Sequence, residues 1–264
     1  MPRSIASIWR SVPADMALKI DRSLAAACEQ RNIRGPAPLF FRADDVAVPG
    51  RQFVRLMSLF SSFRVPLSLA VVPAWLTESR WRQLKSTGDR TPGLWCWHQH
   101  GWRHANHETK NKKQEFGPGR PASRIRKDLV SGRRRLEALL DTDFYPVFTP
   151  PWNRCSLDTL NLLKELGYRA VSRSQGSLPP APEGVPDFQV NVDLHTRRDA
   201  GRGSGWGRLL ADLENAVKSG ACGIMIHHQL MNAAAFEFLA ILLTSIVNQK
   251  GVIPTNFREL AAAK

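Results

Sequence analysis

The sequence lacks several features that would assign it to a large class of proteins. Its 264 residues include only four cysteines, and no two of them have the CxxC spacing of zinc fingers and redox motifs. It also contains no run of about 18 apolar residues, so we expect no transmembrane segment. Reduced thiols in a protein core are the simplest expectation for Cys28, Cys96, Cys155 and Cys222.

A secretory signal and an internal linker are also missing. Charged residues recur from Asp15 onwards, so the N-terminus has neither the unbroken apolar stretch nor the small-residue cleavage site of a signal peptide. We therefore expect a cytoplasmic protein. No Ser/Gly-rich stretch divides the chain, and 43% of its residues are hydrophobic, which is enough for one large core. The sequence predicts a single domain over residues 1–264, with an N-terminal helical extension over residues 1–35.

Acidic residues are scarce, with 23 Asp and Glu against 37 Lys and Arg, and the net charge is +14. Such a charge attracts polyanions. Many of the cations lie between residues 110 and 135, where Phe116 is the one aromatic residue. Without an aromatic platform the segment resembles no nucleic-acid module, and we expect no specific nucleic-acid partner. Residues 105–121 predict a mobile basic loop, which is either a lid over a pocket or an ordinary surface loop.

Short apolar runs alternate with amphipathic stretches along the chain. The predicted strands are 39–42, 67–72, 94–97, 145–148, 169–172, 188–192, 223–226 and 252–254. The predicted helices are 4–30, 51–63, 77–85, 123–140, 156–166, 207–218, 233–247 and a short terminal one. This alternation predicts an α/β fold in which helices cover mostly parallel strands. Seven or eight strands in one domain favour a distorted (β/α)7–8 barrel.

Polar residues follow the predicted strands, at the end of a barrel where chemistry is usually located. Asp44 and Asp45 follow the first strand, and six of the seven histidines fall in two clusters, at 98–107 and 227–228. His100 and His104 are four residues apart and can face one metal ion, with Asp45 as a third ligand and open positions for water. The alternative interpretation is that the acidic pair caps a turn.

This ordered set resembles the polysaccharide deacetylase superfamily, the family 4 carbohydrate esterases. Their motifs are an Asp-Asp pair, His-Ser/Thr-x-x-His, Arg-Pro-Pro-Tyr/Trp-Gly, and a later hydrophobic strand that ends in His. The matching positions here, in order, are Asp44-Asp45, His100 to His104, Thr149 to Asn153, and Gly223 to His228. The resemblance implies a polysaccharide deacetylase-like barrel.

The resemblance also implies a role for each of these positions. Asp44 is the general base, and the three residues Asp45, His100 and His104 bind one divalent cation, most often zinc. The backbone N–H near Trp152 helps to stabilise an oxyanion, and the Trp152 ring walls the substrate groove.

The general acid implied by the resemblance is either His227 or His228. Neighbouring residues on a strand face opposite ways, so one of them faces the site, and we favour His228. Among the remaining candidates, we assign Asn153, Asp193 and His98 to substrate contacts, with His98 also able to support the metal ligands from behind.

Three positions depart from the family pattern. Thr149 replaces the arginine that contacts the base in the family, and Arg42 or Arg154 could supply the missing charge. Asp193 is a candidate for the acidic residue that steadies that arginine. Gly101 stands where the second motif has Ser or Thr.

The predicted function is that of a metal-dependent hydrolase of a non-peptide C–N bond, in the EC 3.5.1 class and in carbohydrate metabolism. It would deacetylate an N-acetylated sugar or a related amide, with a carbohydrate or other N-acyl small molecule as its partner. The alternative is a catalytically weak glycan- or polyanion-binding protein on the same scaffold. The missing arginine permits that alternative, whereas the presence of both Asp44 and Asp45 argues against it.

Overall fold

A computed structural model describes residues 7–31, 35–197 and 202–263, which form one curled sheet surrounded by helices. The strands are β1 Ala37–Val46, β2 Leu67–Val71, β3 Trp95–His100, β4 Phe144–Thr149, β5 Ala170–Val171, β6 Val192–Asp193, β7 Cys222–Ile226 and β8 Val252–Thr255. The helices are α1 Met16–Glu29, α2 Arg51–Phe63, α3 Glu78–Gly88, α4 Ala122–Leu140, α5 Leu157–Glu165, α6 Arg202–Lys218, α7 Ala233–Asn248 and α8 Phe257–Ala262.

All strand pairs in the described part of the chain are parallel, in the order β5-β4-β3-β2-β1-β7-β6. β8 pairs with the first half of β1. Two further parallel bridges, Val171 to Asp187 and Ser174 to Val190, connect the β5 edge to the segment that leads into β6. The sheet is therefore a distorted barrel, which confirms the predicted α/β fold of parallel strands.

The two faces of the sheet have different surroundings. On β1, Leu39 and Phe41 point outwards into the main core beneath the helices, whereas Phe40 belongs to a separate interior cluster. α2 packs against the outer face through Phe53 and Phe60, as its predicted 3.6-residue period requires. Each such buried side chain contributes about 1.5–3 kcal/mol. Alternation along β1 then places Arg42 and Asp44 on the same face as Phe40, inside the barrel.

Two strands extend further than the sequence predicted. β1 continues through Asp44 and Asp45 to Val46, and β3 continues through His98 to His100. The polar residues were expected to lie beyond the strands. They lie within them because their polar atoms find partners inside the barrel, as described below. In contrast, the strand predicted over 188–192 is reduced to Val192–Asp193, and α6 begins at Arg202, earlier than predicted.

The N-terminal segment covers the β6–β7 side of the barrel. α1 packs against α6 and α7, and the Trp9 Nε1–H donates to the Leu194 carbonyl at 3.0 Å. Residues 1–6 and 32–34 of the predicted helical extension lie outside the described residues. All four cysteines are free thiols. No described helix is both long and apolar enough to cross a bilayer.

Candidate functional site

Three side chains converge at the carboxyl ends of β1 and β3. The Asp45 Oδ1 lies 3.2 Å from the Nε2 of His100 and 3.2 Å from the Nε2 of His104. Asp45 has a left-handed backbone with φ 60°, at a register shift between β1 and β2, so its side chain departs from the regular alternation. Left-handed residues at Gly101 and His104 turn the chain back so that both imidazoles face Asp45. The predicted Asp-His-His set is therefore brought together and can hold one metal ion.

The tautomer of His100 suits a cation. Its Nδ1 lies 3.0 Å from the Thr149 carbonyl oxygen, which can only accept, so in the neutral ring Nδ1 carries the proton and Nε2 presents a lone pair towards Asp45. A lone pair that faces a carboxylate oxygen is favourable when a cation lies between them. The residues present therefore fit a divalent metal.

The pKa shifts of Asp45, His100 and His104 are consistent with a cation site. Burial would raise the pKa of Asp45, but the hydrogen bond and charge of His100, with smaller contributions from the other imidazoles nearby, hold it well below its usual range. Burial lowers the pKa of His104 to about 4, which keeps its ring neutral at pH 7. Burial also disfavours the charged form of His100, yet the hydrogen bond to Asp45 and the nearby carboxylates raise its pKa. A proton therefore competes with a cation at His100.

Arg42 supplies the positive charge beside Asp44 that the family motif would place at the position of Thr149. Its Nε donates to Asp44 Oδ1 at 2.8 Å and its Nη2 to Asp44 Oδ2 at 2.8 Å, a bidentate pair that is buried on both sides. Its Nη1 donates to the carbonyl and hydroxyl of Ser172, at 3.0 and 2.8 Å. Burial, the largest single effect, would raise the pKa of Asp44, but the Arg42 charge, its hydrogen bonds and the nearby imidazoles together lower that pKa. Of the two arginines considered from the sequence, Arg42 occupies this place, whereas Arg154 is exposed.

His227 is placed to face the two aspartates. β7 ends at Ile226, but the His227 backbone is still extended, so alternation carries the face of Met225, whose sulfur lies 3.2 Å from Arg42 Nη2, on to position 227. His227 is close enough to interact electrostatically with both Asp44 and Asp45, whereas for His228 the interaction is with Asp45. His228 instead packs edge-on against Phe53 of α2, with ring centroids 5.6 Å apart. His228 begins a short 3-10 helix after β7, and its ring contacts this outer layer. These contacts favour His227 over the predicted His228 as the general acid, and the choice between them stays a prediction.

Two residues assigned to substrate contacts have other partners. His98 is fully buried and hydrogen-bonded through Nε2 to the Thr149 hydroxyl at 2.9 Å, and burial lowers its pKa to about 3. His98 and His100 both contact Thr149, so His98 lies behind the proposed ligands, where it could support them. The Asp193 carboxylate accepts from the N–H groups of His195 and Thr196 and from the Thr196 hydroxyl, in a local turn. No contact of Asp193 with Arg42 is seen within the described residues, and Ser172 and Asn153 hold that arginine instead.

The remaining two assigned residues line the site differently. Trp152 lies over His104, with ring centroids 4.5 Å apart, and has a left-handed φ of 58°. Its placement is that of a wall beside the ligands. The Asn153 Oδ1 accepts from Arg42 Nη2 at 2.6 Å, so that oxygen is already engaged within the protein.

Several residues around the site were not among the predicted site residues. Trp75 also contacts His104, with ring centroids 5.7 Å apart, and is 36% exposed. His195, buried beside Trp9, accepts the His227 backbone N–H through Nδ1 at 3.2 Å. Glu115 is buried against the turn that links the two metal-ligand histidines. The surroundings of Trp75 and Glu115 depend on contacts between distant loops, for which the sequence carries no periodic signal.

The segment predicted as a mobile basic loop contains buried anchors. Glu108, Glu115 and Phe116 are buried, while the lysines of the segment lie outside. The lysines of the segment dominate its sequence, whereas nothing in the sequence marks Glu108 and Glu115 as buried. The segment therefore packs into the site wall, where the sequence suggested a lid or a loose loop.

Comparison with solved structures identifies the fold. No protein-family profile and no curated protein matches the chain. A Mycobacterium smegmatis protein assigned to the polysaccharide deacetylases has a TM-score of 0.66 and 16% identity over 88% of this chain and 91% of its own. A family 4 acetyl xylan esterase from Clostridium thermocellum, in complex with a cobalt ion, has a TM-score of 0.55 and 13% identity over 86% and 91%.

A third similar structure is a family 4 pseudoenzyme from Bacillus anthracis, with a TM-score of 0.57 and 15% identity over 86% of this chain and 66% of its own. This fold is thus found in proteins described as esterases, deacetylases and a pseudoenzyme. The chain has the fold of the polysaccharide deacetylases and family 4 carbohydrate esterases.

Proposed function

We propose that the protein is a metal-dependent hydrolase that removes an acetyl group from the nitrogen of an N-acetylated sugar or a related amide. The convergence of Asp45, His100 and His104, with both imidazoles 3.2 Å from one carboxylate oxygen, carries the proposal. A bound divalent cation, with zinc as our choice, would activate water and polarise the acyl oxygen. The substrate would be a carbohydrate or other N-acyl small molecule, and the protein would act in the cytoplasm without a specific nucleic-acid partner.

Asp44 is suited to take a proton from water. Its carboxylate lies next to the ligand Asp45, and Arg42 fixes its orientation through both oxygens. Each carboxylate oxygen retains a further lone pair, so the ion pair leaves Asp44 able to accept a proton. Arg42 favours the ionised form that a base requires, at the expense of basicity, because it lowers the pKa.

His227 is suited to protonate the leaving amine. It lies on the face of β7 that looks towards Asp44, and its Nδ1 has no hydrogen-bond partner within the described residues. The bond from its backbone N–H to His195 fixes the main chain that carries the ring. Trp152 and Trp75, which both contact His104, would wall the groove.

Metal content of the purified protein tests the proposal. Wild type should hold near-stoichiometric metal, and Asp45→Ala and His104→Ala should each lose it. His107→Ala is the matched control, because His107 is an exposed histidine of the same segment that lies outside the ligand set, and it should retain metal. Equal trace metal in all four proteins would exclude the metal site.

Activity then separates an enzyme from the alternative, a glycan- or polyanion-binding protein on this scaffold. Acetate release from a panel of N-acetyl sugars should be measured for wild type and Asp44→Asn, which keeps all three ligands. The proposal expects turnover in wild type and its loss in the variant with metal retained. Stoichiometric metal and glycan binding without turnover in either protein would favour the binding protein.

A further inference from the structure

The turn between His100 and His104 closes around a buried carboxylate from a distant loop. Glu115 is 1% exposed, its Oε2 accepts the Trp102 N–H at 3.1 Å, and its Oε1 accepts the Arg103 N–H at 2.6 Å. One side chain therefore satisfies two backbone amides of the segment that carries two of the three proposed metal ligands.

This turn needs external support. Gly101 and His104 both have φ 58°, in the left-handed region that a histidine adopts infrequently. Buried amide groups without acceptors destabilise a conformation, and an ionised carboxylate is an acceptor through both oxygens. Glu115 supplies acceptors on the inner side of the turn.

The carboxylate is itself held in place from both sides along the chain. The next residue, Phe116, is buried with its ring edge-on to Phe148 at 5.2 Å, and its carbonyl accepts the Ser156 N–H at 2.9 Å. Arg120 donates to the Glu115 carbonyl at 3.2 Å and pairs with Asp128 of α4 at 2.6 Å. The position of Glu115 is therefore tied to the barrel and α4.

Gly101 makes room for this arrangement. A Cβ at position 101 would collide with the Glu115 carboxylate and would lie 2.6 Å from Cγ of Pro151. The family that the sequence resembles has Ser or Thr at this point of the motif. In this chain the carboxylate occupies the space into which a side chain at 101 would project.

We propose that Glu115 is a positioning residue for the cation site, one that locks the turn so that His104 Nε2 meets Asp45 Oδ1. The inference rests on the proposed function, since it requires that Asp45, His100 and His104 bind a cation.

Titration with Co²⁺, followed by visible absorption, reports both affinity and coordination geometry. Glu115→Gln keeps the side-chain length but presents an amide NH2 to the backbone N–H groups. We expect it to bind Co²⁺ about 10–100-fold more weakly, with an altered absorption spectrum, as is typical when a group behind a metal ligand is changed. Glu115→Asp keeps the charge but is too short to reach both amides. Its Co²⁺ affinity should therefore fall between those of wild type and Glu115→Gln.

Glu108→Gln is the matched control. Glu108 is a buried carboxylate of the same loop, but it accepts from Gly119 and Asn111 and not from the turn. This variant should match wild type in Co²⁺ affinity and spectrum, even if its melting temperature falls. Circular dichroism confirms that each variant is folded, and Glu115→Asp decides the matter should Glu115→Gln not fold.

The outcomes distinguish the two claims. If wild type binds no Co²⁺, the proposed function fails and the inference fails with it. If wild type binds Co²⁺ and the Glu115 variants match it in affinity and spectrum, Glu115 is a structural residue only, the inference is overturned, and the proposed function stands. If Glu108→Gln weakens Co²⁺ binding as much as Glu115→Gln does, the specific role of Glu115 is also overturned.

Discussion

The two histidine groups of this protein differ in what their buried polar atoms face. We call Asp45, His100 and His104 the ligand group, and His195, His227 and His228 the second group. In the ligand group the ring nitrogens that can bind a cation point at one carboxylate. In the second group, His195 Nε2 and the Nδ1 atoms of both His227 and His228 are buried without a hydrogen-bond partner in the described part of the chain.

The difference indicates that the two groups have different roles. The ligand group is arranged around a point where a cation fits, and its supports, Thr149 and Glu115, come from within the protein. In the second group the His195 and His228 rings are desolvated: burial lowers the pKa of His195 to about 3 and that of His228 to about 4. Of the three rings, His227 interacts with both aspartates, so the comparison predicts that the rings contribute very differently to activity.

The largest expected effect separates His227 from His228. His227→Ala should lower kcat by about 10²–10⁴-fold, because the general acid is lost. His228→Ala should keep most of the activity per folded molecule and lose stability instead, because it removes packing against Phe53. Acetate release and thermal unfolding of both variants give the two readouts, and the reverse pattern would restore the preference for His228.

Removal of Arg42 should be the largest single loss of stability. Arg42→Met leaves Asp44 buried without its ion-pair partner, and breaking a buried pair in this way costs about 3–5 kcal/mol. The double variant Arg42→Met/Asp44→Leu removes both charges and should recover much of that loss in urea unfolding. A loss near zero for Arg42→Met would mean that Asp44 does not depend on this pair.

The pH dependence of stability should have opposite signs at the two groups. The pKa of His228 is lowered in the folded protein, so the unfolded state binds a proton first, and stability falls as the pH drops below about 6.5. His100 has a raised pKa, so its contribution is present below the unfolded pKa and is lost as pH rises through the folded value.

His228→Phe isolates the first of these effects. Between pH 6.5 and 5 the wild type should lose about 2 kcal/mol through this residue alone, at roughly 1.4 kcal/mol per pH unit for one proton. In urea unfolding of the metal-free protein, His228→Phe should lose less unfolding free energy than wild type over this pH range, by that amount. Parallel stability curves for the two proteins would contradict a neutral, buried His228.

The smallest effect is expected at the rim. Trp75→Ala removes a partly exposed ring that flanks His104, and aromatic contacts of this kind are worth about 0.5–1.5 kcal/mol. We expect KM to rise roughly two- to tenfold with kcat little changed. A large fall in kcat, with metal lost, would place Trp75 among the supports of the ligand group.

Regular patterns in the sequence were sufficient to predict the fold and the proximity of the three residues of the ligand group. The helix predicted over 51–63 is α2, since an apolar period of 3.6 over a long segment depends on local chemistry. Asp45, His100 and His104 were found because two ligands four residues apart and a strand-end carboxylate form a local pattern.

Features that depend on side-chain direction or on distant contacts were not predictable. Choosing between His227 and His228 required the phase of β7, which counting does not reveal. The role of Arg42 follows from its position two residues before Asp44 on the same face of one strand, a signal that was present but left undecided against Arg154. Glu115 lies 11 residues beyond His104 in a segment dominated by cations, and nothing in the sequence marks it as buried.

Anomalous X-ray scattering at the zinc edge, from crystals of the wild-type protein soaked in Zn²⁺, tests the central claim most directly. The account predicts one strong peak at about 2.0–2.2 Å from an Asp45 carboxylate oxygen and from the Nε2 atoms of His100 and His104. A map without a peak there, or with zinc bound only by other residues, would contradict it.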